Sequence, residues 1–577
     1  MLYLIFCYSL ITFVCLWAGI LVYSFLPNAV VKEKSVICFL ITGLIGLTAF
    51  GQWIVLFIPL SLFPILLIIL FLSLFTVVRR KFVFVTLGYC FGGLKNADRR
   101  LLICLFCFLV MILTLNAGPT MMDDTDSYHI QMVKWIQEYG SVPGIANLHL
   151  RFGFNSSWFV SIGLLTYPLH GLDSYLSLNG LLALWFCYYL LEKIFHFLRN
   201  NALNRSLNGA LGCLLILILC LINWPMIRGC ATSANYDFIC TVCTVVLFID
   251  MAGEEGPPPP EWFIWPLYLF TVRIINFPML LFTFFYFLRI FKPFRIKQFL
   301  GYLGMAFFLV IPFLARNAIL SGYAFFPIYQ LDFFSFDWKA DKSLLIRIDE
   351  YIRYFNRVNP GFRPIAETSR LHFPQWTGRW FTYLFPFDRL IVVLSFLGYL
   401  LILLRVRKNF SRLQKVFLLV MGVQLICWFF IAPDPRFVQG SLLFGIYMAI
   451  QAGPALSGNL KIVPDLSVGA VSVFVLIYSL NKLIFAGNYR NFIVPHRLPV
   501  PQVKTVIVDN IELHIPSRVL NNWNPRCYDV ALPCLYSLDP RVEARGKAID
   551  DGFRLKPGSL KDPWKGEYKI KEKDHGF

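Results

Sequence analysis

Long apolar runs alternate with short basic clusters from the first residue to about residue 486. Runs at about 3–26, 36–57, 59–78 and 101–118 are each long enough, as helices, to cross a hydrocarbon core roughly 30 Å thick. Between them stand "RRK" (79–81) and "LKNADRR" (94–100). Lysine and arginine concentrate in cytoplasmic loops, so the segment that starts at Met121 is expected outside. Further crossings are predicted near 208–227, 236–252, 262–275, 277–291 and 299–320, which puts "LRIFKPFRIK" (288–297) inside. "RVRKNFSR" (405–412) then falls inside, "IAPDPRF" (431–437) outside and "GNLKIVPD" (458–465) inside, before a last crossing near 465–486. About fourteen crossings result, all helical, because lipid gives a spanning backbone no other hydrogen-bond partners.

Charge settles one ambiguous stretch. If Trp158–His170 and Tyr175–Leu191 both crossed, Lys193, Arg199 and Arg205 would face outward. The first piece, broken by Pro168, is therefore expected along the outer interface as a juxtamembrane helix. The pair around "TVRIINFP" is short and carries Arg273 and Pro278 at membrane depth, so it reads as a broken hairpin facing the protein interior. "EEGPPPPEW" (254–262) is a stiff cytoplasmic connector. The expected division is a transmembrane domain over 1–486, with outer loops 119–173 and 321–385, and an extracytoplasmic region over 487–577. There "VKTVIVDNIELHI" (503–515) has strand character, within a small α+β region.

Composition agrees with an all-α polytopic membrane protein. Of 577 residues, 58% are hydrophobic and only 15% charged, against roughly 25% charged in soluble domains. Continuous apolar runs exclude a β-barrel. The net charge of +19 follows from the basic clusters, and no nucleic-acid-binding module accompanies it. "MLYLIFCYSLITFVCLWAGILVYSF" lacks a basic start and a small-residue cleavage site, so it is expected to stay as a helix. Most of the 15 Cys lie in apolar runs, where a thiol behaves as a small hydrophobe. Only Cys527 and Cys534, in a polar tail, are placed for a disulfide, which would close a short loop.

The densest chemistry is "MMDDTDSYHIQMVKW" from Met121, which sets Asp123, Asp124 and Asp126 at a membrane exit. From Ser127 to Tyr139 the apolar residues share a side and His129, Lys134, Gln137 and Glu138 are polar, an amphipathic interfacial pattern. Asp126 is placed to cap that helix. Capping accounts for one carboxylate, not three. Three acids within four residues repel one another unless they are solvated or serve a metal, a sugar hydroxyl or a proton transfer. A carboxylate at a bilayer exit can take a proton from an acceptor beside a lipid-embedded donor.

Other groups stand at suitable addresses. Arg316 and Asn317 end a crossing, and arginine holds phosphate through paired hydrogen bonds, although a snorkelling anchor explains it equally. Asp434 and Arg436 form either a self-neutralising pair or part of a donor site. "LHFPQWTGRW" offers His372, Trp376, Arg379 and Trp380, which suit sugar and diphosphate contact or simple interfacial anchoring. His149 and Arg151 share the outer loop of the acids. No P-loop or strand-borne GxGxxG is present, which favours a lipid-linked donor over a nucleotide sugar.

The acidic motif, with Tyr128 four residues after Asp124 in the first large outer loop, resembles the GT-C glycosyltransferases, as in the protein mannosyltransferase and aminoarabinose transferase branches. "DDTDSYHIQMVKWIQEYGSVPGIANLHLRFGFNSSWF", "ARNAILSGYAFFP", "WFFIAPDPRF" and "CYDVALPC…RGKAIDDGFR" resemble more closely an uncharacterised bacterial family of GT-C-like membrane proteins. The resemblance implies inverting transfer of a sugar from a polyprenyl-phosphate donor to a glycan, lipid or protein acceptor on the outer face of the plasma membrane. It makes Asp124 the catalytic residue, with Asp126 the alternative. Asp123, His129, His149, Arg151, Arg316, Asn317, His372, Arg379, Asp434 and Arg436 are the expected substrate contacts. No cofactor is assigned, and a divalent cation at the acids is left open, because Thr125 stands where the mannosyltransferase branch often has Glu. The competing readings are a flippase of lipid-linked saccharide, which usually shows two related halves, and a non-catalytic envelope scaffold.

Overall fold

A computed structural model describes residues 1–26, 34–95, 98–166, 174–199, 206–253, 259–290, 296–358, 368–409, 411–454, 462–517, 526–535 and 538–556. The chain is mostly helical. In order come α1 (Leu2–Phe25), α2 (Val36–Val55), α3 (Leu62–Val78), α4 (Arg80–Lys95), α5 (Arg99–Asn116), α6 (Ile130–Glu138), α7 (Ser157–Thr166) and α8 (Ser177–Arg199). They are followed by α9 (Ser206–Ile222), α10 (Ile227–Cys230), α11 (Asp237–Gly253), α12 (Glu261–Val272), α13 (Leu280–Ile290), α14 (Ile296–Ser321) and α15 (Lys342–Val358). Helices over Phe373–Tyr383, Pro386–Asn409, Arg412–Ile431, Gln439–Ala452 and Ile462–Ile484 complete the bundle.

Among the described residues, eight helices are long and apolar enough to cross a membrane. They are α1, α2, α5, α8, α14 and the helices beginning at Pro386, Arg412 and Pro464. A ninth span results if α3 and α4, bent by 98° at Arg79, count as one. α1 and α2 cross very closely. A Cβ on Gly19 would stand 1.9 Å from the Phe39 carbonyl oxygen, and one on Gly43 1.8 Å from that of Cys15, so glycine at both positions lets the two backbones touch. Parts of the basic clusters (96–97, 291–295, 410, 458–461), Arg205, residues 254–258 of the connector, and residues 167–173 and 359–367 of the two outer loops lie outside the described residues.

α7 is ten residues long and buried throughout. The described part of the expected surface helix is covered by protein: Ser161 meets Thr48 of α2 at 2.7 Å and Trp158 donates to Asn179 of α8 at 3.0 Å, while residues 167–170 lie outside the described residues. Its few polar groups, Ser157, Ser161 and Thr166, are hydrogen-bonded within the protein, which lets a helix of this composition sit in the interior. The polar face of α6 is covered as well. Gln131 and Lys134 donate to the Val530 carbonyl, at 3.0 and 2.9 Å, and Lys134 pairs with Asp529 at 2.9 Å.

The tail holds two antiparallel hairpins, β1 (Val503–Val508) with β2 (Ile511–Pro516) and β3 (Val542–Ala544) with β4 (Phe553–Leu555). Asp509 and Asn510, at φ 47° and 72°, make the left-handed turn that a two-residue hairpin requires. Cys527 and Cys534 are joined as a disulfide, and His514 of β2 donates to the Pro533 carbonyl at 2.9 Å.

Candidate functional site

The acidic segment is fixed from its base. Asn116, the last residue of α5, is buried; its amide donates to the Leu176 and Ala231 carbonyls at 2.9 and 2.8 Å and accepts from Tyr8 at 3.0 Å. The chain leaves this anchor and re-enters a helix through one wide turn, Thr125–His129, that runs straight into α6. Asp126 therefore sits inside a helical turn and does not cap α6.

Above this turn lies a cavity of about 1060 Å³, large enough for a drug-sized or lipid-headgroup ligand. At its floor Asp124 accepts from Arg151 Nη1 at 3.1 Å, and its other oxygen stands 3.7 Å from Arg436 Nη1. Arg436 Nε is 2.9 Å from Asp434 and 3.8 Å from Asp237. Arg273 pairs with Asp237 and lies over the Phe437 ring, 3.5 Å from its centroid. Three carboxylates thus alternate with three guanidinium groups, each charge compensated in a partly dehydrated place where a lone one would be costly. The lining also has an apolar component: Phe277, Phe355, Phe385 and Ile431 belong to it and remain exposed. Phe385 and Ile431 stand where two membrane-length helices begin and end.

Electrostatics sort the titratable groups. Burial alone would raise the Asp124 carboxyl, but Arg151 and Arg436, with His129 and Arg273, outweigh it and hold the group below the ordinary carboxylate range. Burial, reinforced by the three arginines and opposed by Asp124, pushes the His129 imidazole down to about 3, so it is neutral. His149 is lowered to about 3 by burial and Arg151. Burial raises Asp126 to about 6 against the Thr120 hydrogen bond and Arg526.

Of the residues expected from sequence, Asp123, Asp124, His129, Arg151, Asp434 and Arg436 line the cavity. The others lie elsewhere. Asp126 is buried beneath the floor, 3.1 Å from Arg526 Nη1. His149 accepts from the Arg151 backbone N–H at 3.3 Å, behind the wall. Arg316 is neither a snorkelling anchor nor a cavity group: it is 1% exposed and donates to Asn155, which does line the cavity. Asn317 donates to the Ala324 carbonyl at 2.9 Å and holds a turn. His372 starts the helix Phe373–Tyr383, and its backbone N–H donates to Gln375 at 3.1 Å. Arg379 points off the cavity, while the adjacent Trp380 enters it and donates to the Pro433 carbonyl at 2.6 Å.

Sequence reading missed three contributors. Asp237 opens α11 and Asp388 opens the helix Pro386–Asn409; both stand in first turns, where a carboxylate ordinarily serves the helix dipole. The signal that could have found them is an acid at the mouth of an apolar run. Arg526, nearly four hundred positions from the acidic motif, carries no such local signal. Arg273, read as costly unless paired, proves to be paired and in the cavity.

Among the described residues no group of three or more His, Cys, Asp or Glu side chains is spaced to hold a metal ion. No curated protein and no solved structure matches the chain. Residues 1–443 match the model of a domain of unknown function, DUF8201, and across that much of its 577 residues the chain belongs to this family.

Proposed function

We propose that this protein is a membrane glycosyltransferase that moves a sugar from a polyprenyl-phosphate donor to a glycan, lipid or protein acceptor on the extracytoplasmic side of the plasma membrane. The observation that supports the reading is Asp124, held between Arg151 and Arg436 in a cavity whose lining includes exposed apolar side chains, two of them, Phe385 and Ile431, at the ends of membrane-length helices. A lipid-borne donor needs that combination: an apolar entrance for the carrier and fixed cations for its phosphate.

In the proposed reaction the acceptor hydroxyl attacks the anomeric carbon and gives its proton to Asp124. The bond from that carbon to the phosphate oxygen breaks on the opposite face, its electron pair leaving with the polyprenyl phosphate and the configuration inverting. Arg436 and Arg273, already placed, stabilise the charge that develops on the departing phosphate. The three arginines supply positive charge where a divalent cation would otherwise do so.

Sidedness follows the basic clusters. Lys34, Arg79, Arg100 and Lys193 stand at the bundle end away from Asp124, as the runs of α1, α2, α5 and α8 require. We place that end in the cytoplasm, and the cavity, the outer loops and the region 487–577 outside. Eight long spans, the bent pair and the shorter apolar helices α9, α11, α12, α13 and Gln439–Ala452 bring the count to about fourteen crossings.

Lipid extraction from cells that carry Asp124→Asn tests the reading. Accumulation of an outward-facing lipid-linked sugar supports it. Retention of that lipid on the inner leaflet would support a flippase, and an unchanged lipid profile would leave a scaffold.

A further inference from the structure

We propose that the tail segment Arg526–Leu535 is part of the active site, with Arg526 as a positioning residue that fixes the acidic loop beneath Asp124; this rests on Asp124 as the acceptor-facing carboxylate. Arg526 bridges two acids of the motif: Nη1 lies 3.1 Å from Asp126, and Nη2 pairs with Asp123. The backbone locks the same place, since the Tyr528 N–H donates to the Asp126 carbonyl at 2.7 Å. One and two helical turns further on, Gln131 donates to the Tyr528 and Val530 carbonyls and Lys134 to those of Asp529 and Val530. The Cys527–Cys534 disulfide closes this loop, and the Leu535 N–H donates to the His514 carbonyl at 3.0 Å, which ties it to β2.

The arrangement gives each acid of the motif a separate task. Asp123 and Asp126 receive the tail, whereas Asp124, paired with Arg151 and Arg436, faces the cavity floor. Arg526 also cancels two negative charges one and two residues from Asp124, which would otherwise disfavour its ionised form. Arg526 lies beyond the 1–443 family match, so the clamp is supplied by a part of the chain outside it.

Hydrogen exchange on purified full-length protein in lipid nanodiscs reads the clamp without a substrate. In Arg526→Ala, and in Cys527→Ser/Cys534→Ser, amides from Thr125 to Lys134 are expected to exchange about tenfold faster or more, with α7 unchanged. Arg526→Lys, which reaches one carboxylate only, falls between. Exchange within about twofold of wild type in both the Ala and the double-Ser variants overturns the proposal.

A second readout is turnover of a panel of synthetic polyprenyl-phospho-hexoses against pH. Asp124 feels Arg151, Arg436, His129 and Arg273 from the surrounding elements. Arg526→Ala leaves the neighbouring Asp123 carboxylate uncompensated, so the acid limb moves to higher pH. A limb that stays in place while the exchange rises makes Arg526 a structural tether and overturns its positioning role. If wild type turns over none of these lipids, the glycosyltransferase reading fails, and the exchange result still decides whether the tail clamps the loop.

Discussion

The Asp124 carboxylate accepts from Arg151 Nη1 at 3.1 Å, and the Arg151 guanidinium also lies over the Tyr128 ring, 5.5 Å from its centroid. Asp124 and Tyr128 are four residues apart and Arg151 comes from the far end of the same loop. One side chain therefore holds the charge of the motif and the ring one helical turn later. The pairing keeps Asp124 ionised at neutral pH and aims it into the cavity.

Removing that cation weakens the ionised state. Arg151→Gln is expected to move the acid limb of turnover up by about one pH unit, in line with the loss of one close opposite charge. A profile that does not move would show that Arg436 alone sets the charge of Asp124.

Arg436 is shared among Asp124, Asp237 and Asp434, and the proposed leaving phosphate needs its planar fork. Arg436→Lys keeps the charge and loses the fork. Turnover is expected to fall about tenfold or more, with thermal stability reduced only slightly. Wild-type turnover in that variant would move the phosphate to Arg273.

Two histidines give a pH signature. His129 and His149 are both lowered to about 3, so the unfolded chain binds protons near pH 6.5 that the folded chain refuses. Stability is full above that point and is lost as pH falls through about 6.5, with roughly 1.4 kcal/mol per pH unit for each group that stays neutral. Asp126, raised to about 6, takes up a proton in the folded state first and opposes the loss between about pH 4 and 6. Thermal midpoints measured from pH 7 to 5 should therefore fall, and His129→Gln should flatten the decline. An unchanged slope in that variant would place His129 in contact with water.

Much of this was legible from the sequence for a simple reason: membrane helices and clustered acids are local signals. The apolar runs gave α1, α2, α5 and α14 to within a few residues, while α8 runs on to Arg199, eight residues past the expected Leu191, and Asp123, Asp124, Arg151, Asp434 and Arg436 do meet in one cavity. What stayed hidden depends on direction or on distant pairing. Arg316 has the right depth but faces Asn155 from behind. Arg379 and Trp380 are neighbours, yet only Trp380 enters the cavity. The polar face of α6 reads as solvent-facing, and only the tail, about four hundred residues on, shows what covers it.

Arg316 gives a stability prediction instead of an activity one. Its guanidinium is buried, with Nε and Nη2 lacking partners among the described residues, and nothing there offers it a carboxylate. Replacing a poorly compensated buried charge by an apolar side chain of similar length is often neutral or stabilising. Arg316→Met should keep or raise the thermal midpoint and keep turnover within a few fold. A loss of about tenfold or more would return Arg316 to the phosphate site.

Asp388 is 6% exposed and lines the cavity, with Asn223 donating to it at 2.7 Å and no cation paired to it among the described residues. A buried carboxylate with spare acceptor capacity suits a ligand hydroxyl. Asp388→Ala is expected to raise KM for donor or acceptor about tenfold while kcat changes less. A fall in kcat alone, at constant KM, would place Asp388 in the chemical step.

The most direct measurement is single-turnover release of polyprenyl phosphate by purified Asp124→Asn, beside wild type, with donor binding measured on the same preparation. Asparagine keeps the shape and removes the charge. The account predicts donor affinity within a few fold and a rate lower by about 10²- to 10⁴-fold, the range expected for loss of a general base. A correctly folded Asp124→Asn protein that releases polyprenyl phosphate at close to the wild-type rate would contradict it.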